Sequence, residues 1–118
     1  MIQFICYPKC TTCQKAKKWL DGNNIDYTTR NIKEENPSFE ELSKWYKQSS
    51  LPIKRFFNTS GLLYKSMGLK DKLPNMTEEE MIKLLSDDGM LVKRPLLISD
   101  KFILAGFKVN EWEEALKN

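Results

Sequence analysis

Cys10-Thr11-Thr12-Cys13 is the part of this sequence best able to do chemistry. Two thiols with two residues between them, placed where a strand hands over to a helix, read as a redox pair. The first turn of a helix has unpaired N–H groups and a partial positive charge, and both favour thiolate over thiol. Thiols so placed ionise at roughly 3.5–7.5 rather than in the free-cysteine range. Cys10 precedes the helix and is expected to be the more exposed, so it is the candidate nucleophile. Cys13, one turn in, is the candidate resolving thiol. Lys9 and Lys15 lie close in sequence and add positive field. A zinc site would need four ligands, and Cys6 is the one further thiol in a chain without histidine. Two inert buried thiols are the other reading, which the strand-to-helix location disfavours. Cys6, two residues after Phe4 in the first apolar run, is read as core.

The absence of histidine excludes Ser-His-Asp and Cys-His nucleophiles, His-ligated zinc and imidazole proton shuttles. At 118 residues, 41% apolar and 30% charged, the chain has the proportions of a single globular domain. Lys and Arg exceed Asp and Glu by 19 to 16, a net charge of +3, with Arg30, Arg55 and Arg94 the only arginines. That excess is too small for a dedicated nucleic-acid stripe. Lys15, Lys17 and Lys18 read as a solvated helix face. No 18-residue apolar run marks a membrane span, and Met1–Cys6 lacks the features of a signal peptide. A cytoplasmic protein with no membrane or direct nucleic-acid partner is expected.

These thiols need elements to hold them. Met1–Cys6 reads as a short buried strand, broken by Tyr7-Pro8-Lys9. From Thr11 to Asp21 the apolar residues Ala16, Trp19 and Leu20 share one helix face, with Gly22 placed to end it. Ile25–Ile32 reads as a second strand. Capping boxes at Ser38/Glu41, Thr77/Glu80 and Asn110/Glu113 predict three more helices. Their inward residues are Phe39, Leu42, Trp45 and Tyr46, then Met81, Leu84 and Leu85 with Gly89 as the stop, then Trp112, Ala115 and Leu116. Pro52–Leu69 reads as short helical turns broken at Gly61 and Gly68. After Pro95, Leu96–Ile98 and Phe102–Leu104 flank a loose turn and form a hairpin. A strand-helix-strand start gives a parallel pair and the hairpin an antiparallel one, hence a mixed α/β sheet under helices. That is the thioredoxin/glutaredoxin arrangement, although a generic α+β domain also fits.

Several segments together resemble the arsenate reductase-like family, which includes the ArsC enzymes and the Spx/MgsR regulators. They are Ile5-Cys6-Tyr7-Pro8-Lys9-Cys10-Thr11-Thr12-Cys13-Gln14-Lys15-Ala16, Tyr64-Lys65-Ser66-Met67-Gly68-Leu69, Lys93-Arg94-Pro95-Leu96-Leu97-Ile98 and Gly106-Phe107-Lys108. The resemblance implies one thioredoxin-like domain over 1–118, a four-stranded mixed sheet whose βαβ and ββα halves flank a helical insert at about 37–75. It also implies a cis-proline, Pro95, beside the active cysteines.

In arsenate-reducing members the first cysteine attacks the oxyanion and three arginines hold it. Cys10 matches that cysteine and Arg94 one arginine. Asn58, within Phe56-Phe57-Asn58-Thr59, stands near the second, and Leu104-Ala105-Gly106 near the third. Anions of that charge need several charge-assisted donors, so arsenate reduction, with its glutathione and glutaredoxin, is the least favoured function. The Spx-like branch uses its C-x-x-C as an oxidation switch and binds RNA polymerase through the C-terminal domain of its α chain. That branch carries a glycine-bearing contact segment where this chain reads Lys47-Gln48-Ser49-Ser50-Leu51-Pro52, and a longer tail where this sequence stops at Asn118. The resulting expectation is a thiol–disulfide oxidoreductase with a redox-switch regulator as the alternative. Cys10 and Cys13 carry the chemistry, and Arg94, Lys9 and Asn58 stabilise thiolate or anion. No cofactor or metal is implied. An external thiol system (thioredoxin, glutaredoxin or a small thiol) resets the pair, and the substrate is a disulfide-bearing protein or small molecule.

Overall fold

The structure, a computed structural model, describes residues 1–117. The chain forms two compact units, one built from residues 1–31 and the segment from Arg94 onward, the other from Ile32–Lys93.

In the first unit, strand β1 (Gln3–Cys6) leads into helix α1 (Thr11–Gly22) and strand β2 (Thr28–Asn31). Strands β3 (Leu96–Ile98) and β4 (Ile103–Ala105) and a last helix, Val109–Lys117, complete it. The sheet order is β2-β1-β3-β4, with β1 and β2 parallel and the other two pairings antiparallel. This is the mixed four-stranded sheet of the thioredoxin/glutaredoxin fold. The hairpin turn closes through Ser99, whose N–H donates to the Phe102 carbonyl at 3.0 Å while its Oγ accepts from Lys101 and Phe102 N–H.

Phe4, Ala16, Leu20, Leu97 and Trp112 are fully buried and form the core. The alternation of β1 and the helical spacing of α1 deliver the first three. Trp112 sits edge-on to Phe4, Trp19 and Phe107, with Phe107 nearest at 4.9 Å between ring centroids. A buried indole needs a partner for its N–H, and Nε1 donates to the Gly106 carbonyl at 3.0 Å. Helix α1 ends at Gly22 as read, with Asn24 beyond it in the left-handed region at φ 56°. One sequence expectation shifts here. Asn110 does not cap the last helix, because the Trp112 N–H already bonds to the Lys108 carbonyl, which puts the cap at Lys108.

The second unit runs wider at both ends than the 37–75 insert. It holds α2 (Phe39–Ser49), α3 (Leu62–Ser66), α4 (Leu69–Lys72) and α5 (Glu78–Asp87), with 3₁₀ turns between them. Helix α5, which lies beyond the 37–75 insert, packs on α2. Two contacts distant in sequence close this unit. Asn36 donates to the Ser86 carbonyl at 2.7 Å, and the backbone at Gly89 lies so close to Ile32 that a Cβ there would meet the Ile32 carbonyl at 1.9 Å. Ile82 and Leu85 are the fully inward residues of α5, with Met81 and Leu84 on the flanks. Both predicted capping boxes of this unit are present. Ser38→Ala or Thr77→Ala should therefore lower the unfolding free energy by about 1 kcal/mol each. Urea titration reads this as a lower midpoint at unchanged slope.

Candidate redox-active site

Strand β1 ends at Cys6, and the Tyr7-Pro8-Lys9 turn closes when the Cys10 N–H donates to the Tyr7 carbonyl at 2.9 Å. Cys10 then occupies the N-cap of α1 with extended backbone. As a neutral thiol it makes no capping hydrogen bond. As a thiolate it is a far better acceptor, and the first-turn N–H groups face it. Partial burial pushes the Cys10 thiol up. Hydrogen bonds from the Cys13 N–H, the Arg94 guanidinium and the Thr12 N–H outweigh that, so Cys10 titrates below the ordinary thiol value.

Cys13 behaves in the opposite way. Its side chain is buried, with residue exposure of 2%. Hydrogen bonding to Cys6 and burial push its pKa far up, against the Tyr7 N–H, which donates to Sγ at 3.4 Å. The pair is thus split into a partly exposed thiol prone to ionise and a buried thiol that keeps its proton. A nucleophile and a resolving group need that division.

Arg94 comes from the segment just before β3. The Arg94–Pro95 peptide bond is cis, and the buried Pro95 accepts at its carbonyl from the Gly106 N–H at 2.8 Å. The guanidinium carbon lies 5.5 Å from the Tyr7 ring centroid while the side chain hydrogen-bonds Cys10. The structure therefore brings Arg94 to Cys10, which Cys13 also meets, and places the cis Pro95 next to Arg94 in the chain. Lys9 stands exposed in the turn. Asn58 belongs to the second unit, where its N–H donates to the Leu91 carbonyl at 2.8 Å and its carboxamide packs against Gly61.

Cys6, read from sequence as core, has a second contact that sequence reasoning missed. It packs against the core cluster but stays partly exposed, and its thiol hydrogen-bonds that of Cys13. That contact lowers its pKa to about 7, with burial opposing and Lys17 assisting. The signal was available in the spacing: the last residue of a strand lies under the first turn of the helix that follows it after a tight turn.

Comparison with known proteins adds a family. A model described as the ArsC family matches residues 6–115. The Bacillus subtilis protein YusI is 47% identical over 96% of both chains. The Bacillus subtilis regulatory protein MgsR is 30% identical over 93% of this chain and 86% of its own length. The crystal structure of an ArsC family-related protein from Bacteroides fragilis superposes with a TM-score of 0.94 at 57% identity, covering 97% of this chain and 96% of the other.

Proposed function

This chain belongs to the ArsC family, and on that premise we propose that it is a cytoplasmic thiol–disulfide redox protein working through Cys10 and Cys13. The Cys10 thiolate attacks a sulfur of a substrate disulfide and forms a mixed disulfide as the other half leaves as thiolate. Cys13 loses its proton, attacks Cys10 Sγ and releases the second half, leaving a Cys10–Cys13 disulfide. An external thiol then reduces that bond and restores both thiols. The observation that supports this reading most is the split between the two sulfurs: Cys10 lowered at a helix N-cap beside Arg94, Cys13 buried and raised. Repeated reduction of hydroxyethyl disulfide with glutathione as electron source tests it. Turnover above the glutathione background is expected, and its absence across a panel of small and protein disulfides would count against the enzyme.

The kinship to a regulatory protein, MgsR, favours a second reading. In it the same disulfide is a switch, and the oxidised chain binds the C-terminal domain of the RNA polymerase α chain. Calorimetric titration of that domain against reduced and oxidised protein separates the readings. The oxidoreductase reading expects weak binding in both states, whereas tight binding confined to the oxidised state favours the switch. Arsenate turnover with glutathione and glutaredoxin is expected to be slow, since Arg94 is the sole arginine of the expected anion-holding set.

Arg94 has a measurable share in the nucleophile. Removing one charge-assisted donor from a partly exposed thiolate should raise the Cys10 pKa. Below the pKa the thiolate fraction then falls by more than the more basic thiolate gains in intrinsic reactivity, since the Brønsted slope is only roughly 0.4–0.5. Arg94→Ala should therefore slow alkylation of Cys10 by iodoacetamide at acidic pH and speed it at the alkaline plateau. An unchanged profile removes Arg94 from the site.

A further inference from the structure

The dithiol scheme leaves Cys6 without a task. Yet its thiol hydrogen-bonds that of Cys13, and the next residue, Tyr7, donates its N–H to Cys13 Sγ at 3.4 Å. Cys13 also meets the Cys10 thiol. The Tyr7 contact and the packing of Cys6 against the cluster that holds Ala16, one turn on from Cys13, set the end of β1 beside Cys13, between Cys6 and the Cys10 N-cap. Among the described residues no group of Cys, Asp or Glu is arranged to hold a metal ion, so the trio does not read as a ligand set.

Building on the reading of Cys10 and Cys13 as the redox pair, we propose that Cys6 is a second partner for Cys13, which moves the disulfide from Cys10–Cys13 to Cys6–Cys13 and frees Cys10. In this step the Cys6 thiolate attacks Cys13 Sγ. The Cys6–Cys13 bond forms as the Cys10–Cys13 bond breaks, and the electron pair leaves on Cys10. One thiolate replaces another, so the step consumes no oxidant, reductant or proton.

Thiol exchange runs best when the leaving sulfur is a weak base. Cys10 meets that condition, because the Arg94 guanidinium and the Cys13 and Thr12 N–H groups beside it stabilise the departing thiolate. Position favours Cys6 as attacker. It sits at the end of β1, on the side of Cys13 that the hydrogen bond already occupies, while Lys17 supplies a cation from α1. Once Cys13 is in a disulfide it has no S–H to offer, and Cys6 loses the donor that lowers its pKa. The exchange therefore calls for mildly alkaline solution. Its product is a chain oxidised by two electrons that still presents a reactive Cys10.

Trypsin makes the test direct. Cleavage after Lys9 and Lys15 puts Cys6 in the peptide Met1–Lys9 and both other thiols in Cys10–Lys15. The reduced full chain is treated with one equivalent of oxidised glutathione at about pH 8.5, where ordinary thiols are half ionised. Samples are acid-quenched over time, alkylated, digested and mapped by mass spectrometry. The Cys10–Cys13 bond, a loop within one peptide, should appear first. The cross-link between the two peptides should then grow at its expense to roughly a tenth or more of the singly oxidised chain, with Cys10 alkylated in the same molecules. Cys6→Ser should keep the loop and lose the cross-link. If wild type shows the loop alone, with Cys6 alkylated throughout, or if the cross-link forms without lag, the exchange is wrong and the redox pair stands. If Cys6→Ser forms no loop either, the redox pair itself is wrong and the exchange falls with it.

Discussion

Cys10→Ser is expected to reduce disulfide turnover to the rate of the buffer thiol alone, a loss on the order of 10³-fold or more for removal of a nucleophile. Oxygen in place of sulfur keeps the size and the N-cap geometry, and serine is itself a favoured N-cap residue. The fold should therefore be unharmed and the loss assignable to chemistry. Cys6 is not a substitute, because it packs against the Phe4–Ala16 cluster at the foot of α1 rather than standing at its N-cap. Circular dichroism and the urea midpoint of the variant should match wild type. A variant that keeps a tenth or more of wild-type turnover would transfer the nucleophile's role to another thiol.

Trp112→Ala should be the most damaging change to the fold, at about 3–5 kcal/mol for a fully buried large aromatic. The indole touches Phe4, Trp19 and Phe107 and pairs its N–H with the Gly106 carbonyl. Gly106 in turn donates its N–H to Pro95, next to Arg94. The loss should therefore reach the site as well as the core. Trp112→Phe keeps most of the apolar area and gives up the hydrogen bond, so its cost should be nearer 1–2 kcal/mol, with Cys10 reactivity close to normal. Denaturant unfolding of the two variants checks the ranking. Equal stability of Trp112→Ala and wild type would contradict the packing described for the last helix.

What could be read without coordinates was local or carried by resemblance. Ser38/Glu41 and Thr77/Glu80 announce their helices because a capping box is complete within four residues. Cys10 and Cys13 announce a redox pair because their chemistry needs only each other and a helix start. The extent of the second unit was not legible. It depends on Asn36 reaching Ser86 and on the close approach of Gly89 to Ile32, contacts between residues some fifty positions apart that no local pattern marks. Arg94 entered through its Pro95 neighbour and the family motif, as nothing in its own surroundings in sequence ties it to Cys10. Cys6 was read as core because alternation along β1 places it on the same side as Phe4; it does pack there, and its approach to Cys13 comes from the tight turn that sets the start of α1 over the end of β1.

The central claim is that Cys10 attacks and Cys13 resolves. Mass spectrometry of Cys13→Ser after brief exposure to oxidised glutathione at neutral pH tests it most directly. The account predicts a long-lived mixed disulfide carrying one glutathione on Cys10, in the peptide Cys10–Lys15, that wild type resolves too quickly to accumulate. A variant that gains no glutathione, or that carries it mainly on Cys6, would contradict the assignment.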